Sequence, residues 1–172
     1  KKDFQRLFIS WMFDKYTEEK PVYLGGCHQY NEEDKCYKIY NGMKTLVPEL
    51  ESSLDEADDP MMVHVNHAIR QDFCNAVLIF SRDSDVYVSF MYYYNKTWRN
   101  HGLVQAWMED MGSYVSIDKI CLEMGEDIIE MLPAVHALTG CDTTRKIETK
   151  RKALQVVKSL QYLTLNHLVL VN

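Results

Sequence analysis

The sequence predicts an α/β domain in which a mainly parallel central sheet is flanked by helices. Three observations point there. Short apolar, β-branched runs alternate along the chain with segments of helical periodicity, the order that builds strand–helix–strand units. The run Asn75-Ala76-Val77-Leu78-Ile79-Phe80 is apolar almost from end to end, as expected of a central parallel strand. A chain of 172 residues with 47% hydrophobic content is also large enough for one domain with a sizeable core.

Phe4, Leu7, Phe8, Trp11, Met12 and Tyr16 recur at helical spacing and predict an amphipathic helix from Lys2 to about Tyr16, ended by Pro21. Val22-Tyr23-Leu24 before Gly25-Gly26 predicts a short buried strand closing in a tight turn. Tyr37 to Tyr40 before Asn41-Gly42 predicts a second extended piece, with polar loop between the two. Pro48 to Leu54 leads into a helix from about Asp55 to Gln71, with Ala57, Met61, His64, Val65 and Ala68 along one face. Pro60 is tolerated only in the first turn of that helix, which sets its start near Asp55. After the strand at Asn75–Phe80, the run Val86 to Tyr94 is rich in Val and Tyr and predicts another strand. An extended piece at Tyr114 to Ile117 precedes a helix to about Glu123, capped by Ser116 or Asp118. A further helix runs from Asp127 to Leu138 between Gly125 and Gly140. Lys150 to Leu160 and Tyr162 to Val171 predict two closing helices, so that residues 145–172 form a helical hairpin-like extension of a single domain spanning 1–172.

No apolar stretch approaches the length of a membrane span and Lys1-Lys2-Asp3-Phe4 is not a secretory signal, so no membrane partner is expected. The chain begins without Met and opens directly on a helix, and segments upstream of Lys1 are therefore expected. Five cysteines, odd in number and without CxxC spacing, indicate reduced thiols and a nuclear or cytoplasmic setting. Cys27, His28 and Cys36 have no second half with zinc-ligand spacing and are expected to be semi-buried beside a turn. The nine methionines suit an adaptable core. The net charge of −6 argues against a nucleic-acid partner for the chain as a whole. Arg145, Lys146, Lys150, Arg151 and Lys152 nevertheless cluster with only Glu148 against them, and they are the candidate nucleic-acid contacts; a solvated helix face is the alternative.

Three acidic clusters succeed one another: Glu56-Ala57-Asp58-Asp59, Asp83-Ser84-Asp85, and Asp142 within Leu138-Thr139-Gly140-Cys141-Asp142-Thr143-Thr144. Each stands where a strand end or helix start can aim a carboxylate into a cleft, and Mg²⁺ or Mn²⁺ prefers such oxygen ligands to His or Cys. Phosphodiester hydrolysis with two such ions needs several carboxylates converging on them, one ion activating water and the other stabilising the leaving oxygen. Taken singly, an acidic pair of this kind is more often a helix cap or a solvated turn than a metal site.

Glu56-Ala57-Asp58, Ser81-Arg82-Asp83-Ser84-Asp85-Val86 and Leu138-Thr139-Gly140-Cys141-Asp142 resemble the acidic motifs of flap endonuclease-like 5′ nucleases of the PIN-like superfamily. The unbroken run His136-Ala137-Leu138-Thr139-Gly140-Cys141-Asp142-Thr143-Thr144 is more specific. It is similar to a run in uncharacterised animal proteins, many from mobile-element-like genes, that also carry Glu-Ala-Asp and Asp-x-Asp-Val. The resemblance covers roughly Val22 to Lys152. It implies a PIN-like three-layer fold and a nuclease acting on DNA or RNA by a two-metal mechanism with Mg²⁺ or Mn²⁺. In that scheme Glu56, Asp58, Asp83, Asp85 and Asp142 are metal ligands and catalytic residues, and the turn from Lys146 to Lys150 meets the phosphate backbone.

Three departures define the alternative. The family's opening strand and its aspartate have no counterpart, Gly25 stands where a second aspartate is expected, and Glu148 occupies a glycine position. A catalytically degenerate, nuclease-derived module that binds protein or nucleic acid, or forms oligomers, is the second reading. His136 is expected to be a hydrogen-bonded packing residue rather than a catalytic base. Tyr92, Tyr93, Tyr94 and Trp98 are expected in core and sheet edge rather than stacked on bases. Arg82 is open to two roles, phosphate contact or neutralisation of Asp83.

Overall fold

The computed structural model describes the backbone of residues 2–27, 32–51, 58–110 and 112–139, and their side chains except at residues 2–6, 9, 26, 27, 32–34, 58, 59 and 110. The sequence leads one to expect a single domain; the described residues fall into two compact units, one ending at His67 and the other beginning at Ala68.

In the first unit, helix α1 (Lys2–Lys15) packs on a sheet formed by β1 (Val22–Cys27), β2 (Glu32–Tyr40) and β3 (Met43–Leu46) in that order. Both pairings are antiparallel. Gly25 and Gly26, expected as a tight turn, lie within β1, where the register shifts between Gly25 and Cys27. The charged stretch expected as loop contributes to β2. Pairing with β1 satisfies its backbone N–H and C=O groups, and that gain outweighs the weak strand preference of its side chains. Asn41 (φ 50°) and Gly42 (φ 72°) both sit in the left-handed region, as a two-residue hairpin turn requires, and so join β2 to β3. Phe13 and Ile39 are buried together with Tyr16, Leu24 and Tyr37 packed against them, Phe13 meeting Tyr37 edge-on at 5.1 Å.

Helix α2 (Asp58–Arg70) carries Pro60 in its first turn as predicted; residues 52–57, where its start was expected, lie outside the described residues. Val65 and Met62 are buried on this helix, and half-buried His64 places Nε2 4.0 Å from Sγ of the fully buried Cys36. Tyr23 lies edge-on to both His64 and His67. Burial, reinforced by repulsion from His67, holds the His64 imidazole below its ordinary range. The unfolded chain therefore takes up a proton before the native one does. Stability that is present above the ordinary histidine range is expected to decline as the pH falls through about 6.5 toward the lowered native value. Thermal melts between pH 7.5 and 5 check this: His64→Gln should flatten the decline, and parallel curves for parent and variant would assign the acid sensitivity to other groups.

The second unit contains β4 (Ala76–Phe80), α3 (Ser84–Lys96), β5 (Gln105–Asp110), β6 (Ser113–Ser116), α4 (Ile117–Met124) and α5 (Glu126–Thr139). Its sheet runs β4-β5-β6, with β4–β5 parallel and β5–β6 antiparallel. The mixed α/β class is as predicted. The expected single, mainly parallel sheet is not what the described residues build: of four strand pairings, only β4–β5 is parallel. Short hairpin connections impose antiparallel pairing, whereas a parallel pair needs a crossover of about a dozen residues, which α3 supplies between β4 and β5. Nor is β4 central among the described residues. It lies at one edge, with Ile79 buried and Leu78 and Phe80 exposed at 41% and 68%.

The strand expected at Val86–Tyr94 is a correction, because these residues form most of α3. Val86 and Phe90 are buried one helical turn apart with Val88 between them only half-buried, whereas a strand would bury alternate positions alike. The Val and Tyr content misled because tertiary packing and the cap at Asp83 override intrinsic preference. Phe90 and Met108 belong to the core of this unit along with Trp98, which is 2% exposed at the turn following α3; Tyr93 stacks on Trp98 at 5.5 Å. The aromatics expected in core and sheet edge therefore sit on and just after a helix.

Helices α4 and α5 match their predicted positions. Ser116 occupies the N-cap position of α4, but its hydroxyl donates to Asp118 Oδ1, which also accepts from the Ala106 amide. Helix α5 passes through Pro133, which withholds the N–H that would bond the Ile129 carbonyl. Cys36, Cys74 and Cys121 are free thiols. Burial, with a smaller contribution from Asp118, pushes the Cys121 thiol up to about 11, and Sγ faces the Met91 carbonyl, so it is held as a neutral thiol in packing. Among the described residues no helix is long and apolar enough to cross a membrane. The helical extension expected at 145–172 lies outside the described residues.

Candidate functional site

Strand β4 ends at Phe80, and three residues separate it from α3. Ligand sites in open α/β sheets gather beyond the carboxyl ends of parallel strands, and Asp83 and Asp85 occupy that position here. Asp83 is the N-cap of α3 with extended backbone (φ −79°, ψ 130°), and its Oδ1 accepts from the Asp85 amide at 3.0 Å. The Ser81 hydroxyl accepts from the Asp83 amide at 3.2 Å, tying the strand end to the cap. Asp85 stands in the first helical turn, where negative charge complements the helix dipole. The sequence-level alternative, a helix cap, is thus what Asp83 does in part. A carboxylate has a second oxygen, and capping leaves it free of that bond.

The Asp85 carboxylate is held from another element. His136 of α5 places Nε2 2.5 Å from Asp85 Oδ1, with side-chain exposures of only 14% and 27%. A carboxylate can only accept, so Nε2 carries the hydrogen and donates. The contact forms because α3 and α5 pack on one another, and Val86 and Ile129, one on each helix, are fully buried. Sequence reading correctly expected a hydrogen bond for His136 but missed its partner, 51 positions away in the chain. The available signal was that His136 opens the run ending in Asp142-Thr143-Thr144. Ser81 was missed as well; a hydroxyl two residues before an N-cap Asp is the local pattern that could have revealed it.

Of the remaining candidates, Asp58 begins α2 with its side chain outside the described residues, and Glu56, Asp142, Arg145, Lys146, Lys150, Arg151 and Lys152 lie outside them altogether. Among the described residues no three His, Cys, Asp or Glu groups converge at metal-ligand spacing. Arg82 is exposed, and among those residues no ion pair joins it to Asp83. The other cationic side chains flanking α3 are committed elsewhere: Lys96 pairs with Glu130 at 2.9 Å, and Arg99 with Glu126. No protein-family model, curated protein or solved structure matches the chain.

Proposed function

We propose that this chain is a divalent-metal-dependent nuclease of PIN-like type, cutting phosphodiester bonds in DNA or RNA with Mg²⁺ or Mn²⁺. One observation carries the reading. Asp85 of the second acidic motif and His136, first residue of the run containing the third, meet in a hydrogen bond. The parallel β4–α3–β5 unit, with acids at the carboxyl end of β4, supports the PIN-like arrangement.

The donor set fits a hard cation. Asp83 and Asp85 offer carboxylate oxygens, and among the described residues each has only Oδ1 engaged. By the resemblance, Glu56, Asp58 and Asp142 complete the set. Bound there, Mg²⁺ or Mn²⁺ would supply charge stabilisation to the phosphodiester and an activated water. The protein's own part is to hold its oxygens in fixed directions, Asp83 through its cap bond and Asp85 through His136. The basic cluster Arg145, Lys146, Lys150, Arg151 and Lys152 would draw in the phosphate backbone. The test is cleavage of labelled single-stranded DNA, 5′-flap DNA and RNA in Mn²⁺ by the parent and by an Asp83→Asn/Asp85→Asn variant. Cutting by the parent alone is expected and would identify the substrate; equal cutting by both would remove the assignment.

The second reading, a degenerate nuclease-derived module that binds protein or nucleic acid, has a specific observation in its favour. Gly25, where the resemblance expects an acid, lies within β1 opposite Cys36 and offers no side chain. A ligand that binds only the native state raises stability, by about 2.7 kcal/mol at a concentration one hundred times its Kd. A parent whose thermal midpoint does not move in millimolar Mn²⁺ would favour this module.

A further inference from the structure

We propose that His136 is a positioning residue for Asp85: by holding Oδ1, it leaves Oδ2 as the oxygen presented to a divalent cation. The inference rests on the metal-dependent reading above. An aspartate in the first turn of a helix has two free side-chain torsions, and a carboxylate that rotates about the second can chelate through both oxygens or turn away. Here the backbone of Asp85 is fixed by the bond from its amide to Asp83 Oδ1, and the remaining freedom is removed by Nε2 at 2.5 Å. His136 is itself well supported. It sits in the last turn of α5, where the Thr139 hydroxyl donates to its carbonyl at 3.1 Å and Thr139 is 5% exposed. The ring is only 14% exposed, so water competes poorly for the bond. Partners that orient a ligating group typically contribute 10–100-fold to metal affinity.

A clip that merely joins α3 to α5 would make the same contact, so the test reads metal affinity apart from folding. Mn²⁺ binding is measured by calorimetry on the parent and on His136→Gln, His136→Asn and His136→Leu, with thermal melts of each in the absence of metal. Gln carries its amide donor at a reach close to that of Nε2, and Asn falls about one bond short. The expected result is a Kd for His136→Gln within about threefold of the parent, against a weakening of about tenfold or more for Asn and Leu. Comparing Gln with Asn keeps the test decisive even where Leu impairs folding, because both amides are polar and differ only in reach. Equal Mn²⁺ affinity in parent, Gln and Asn would overturn the positioning role while leaving the metal site standing. A parent that binds no Mn²⁺ would overturn the metal reading and the positioning role with it.

Discussion

Asp85→Asn is expected to abolish Mn²⁺-dependent cleavage while the protein remains folded. The substitution removes one negative charge and almost no volume. The amide oxygen can still accept from His136 Nε2, and the backbone amide still bonds Asp83 Oδ1 at the helix start. On the proposed reading, what is lost is an anionic oxygen for the cation. If that ligand underlies several kcal/mol of transition-state charge stabilisation, the rate should fall roughly 10³-fold or more. Gel assays on the substrate cut by the parent read the rate. A thermal midpoint without metal, within a few degrees of the parent's, establishes that the loss is chemical. Undiminished cleavage by a folded Asp85→Asn protein would end the nuclease reading. Asp83→Asn makes a companion test for the same reason, since Asn caps a helix about as well as Asp.

The second large effect concerns stability. Trp98 is 2% exposed and packs against Phe90, which is fully buried, with ring centroids 5.8 Å apart; Tyr93 covers it at 5.5 Å. Trp98→Ala should leave a cavity that these rigid rings cannot fill, at a cost of about 3–5 kcal/mol. A domain of this size has only about 5–15 kcal/mol in hand, so the thermal midpoint should drop by about 10 °C or more. Tyr93→Ala, at a residue 42% exposed, should cost far less, and Leu122→Ala, at 84% exposure, should be near neutral. Similar losses at all three positions would mean that the aromatic cluster is not the centre of this unit's core.

Legibility in the sequence followed the range of the interactions involved. The span of α1, the Asn41-Gly42 turn, the Gly125 break and the start of α4 after Ser116 were all readable, since each depends on backbone chemistry within a few residues. The helix at Ser84–Lys96 was misread for the opposite reason. Its Val, Phe and Tyr side chains suit a strand, and only the cap at Asp83 and the packing of Val86 and Phe90 select the helix. The Asp-x-Asp spacing marked Asp83 and Asp85 as candidates without distinguishing their roles, one a cap and the other held by a histidine.

By itself the sequence determined the mixed α/β class, the alternation of elements and the acidic positions worth testing, because hydrophobic periodicity and local turn chemistry are written along the chain. Only the tertiary structure decided that β4 lies at a sheet edge among the described residues, that β1, β2 and β3 pair antiparallel, and that Asp85 and His136 meet. Strand partners and cross-chain hydrogen bonds are chosen by which faces can be buried together and which backbone groups must be satisfied, and those conditions exist only once distant segments have packed.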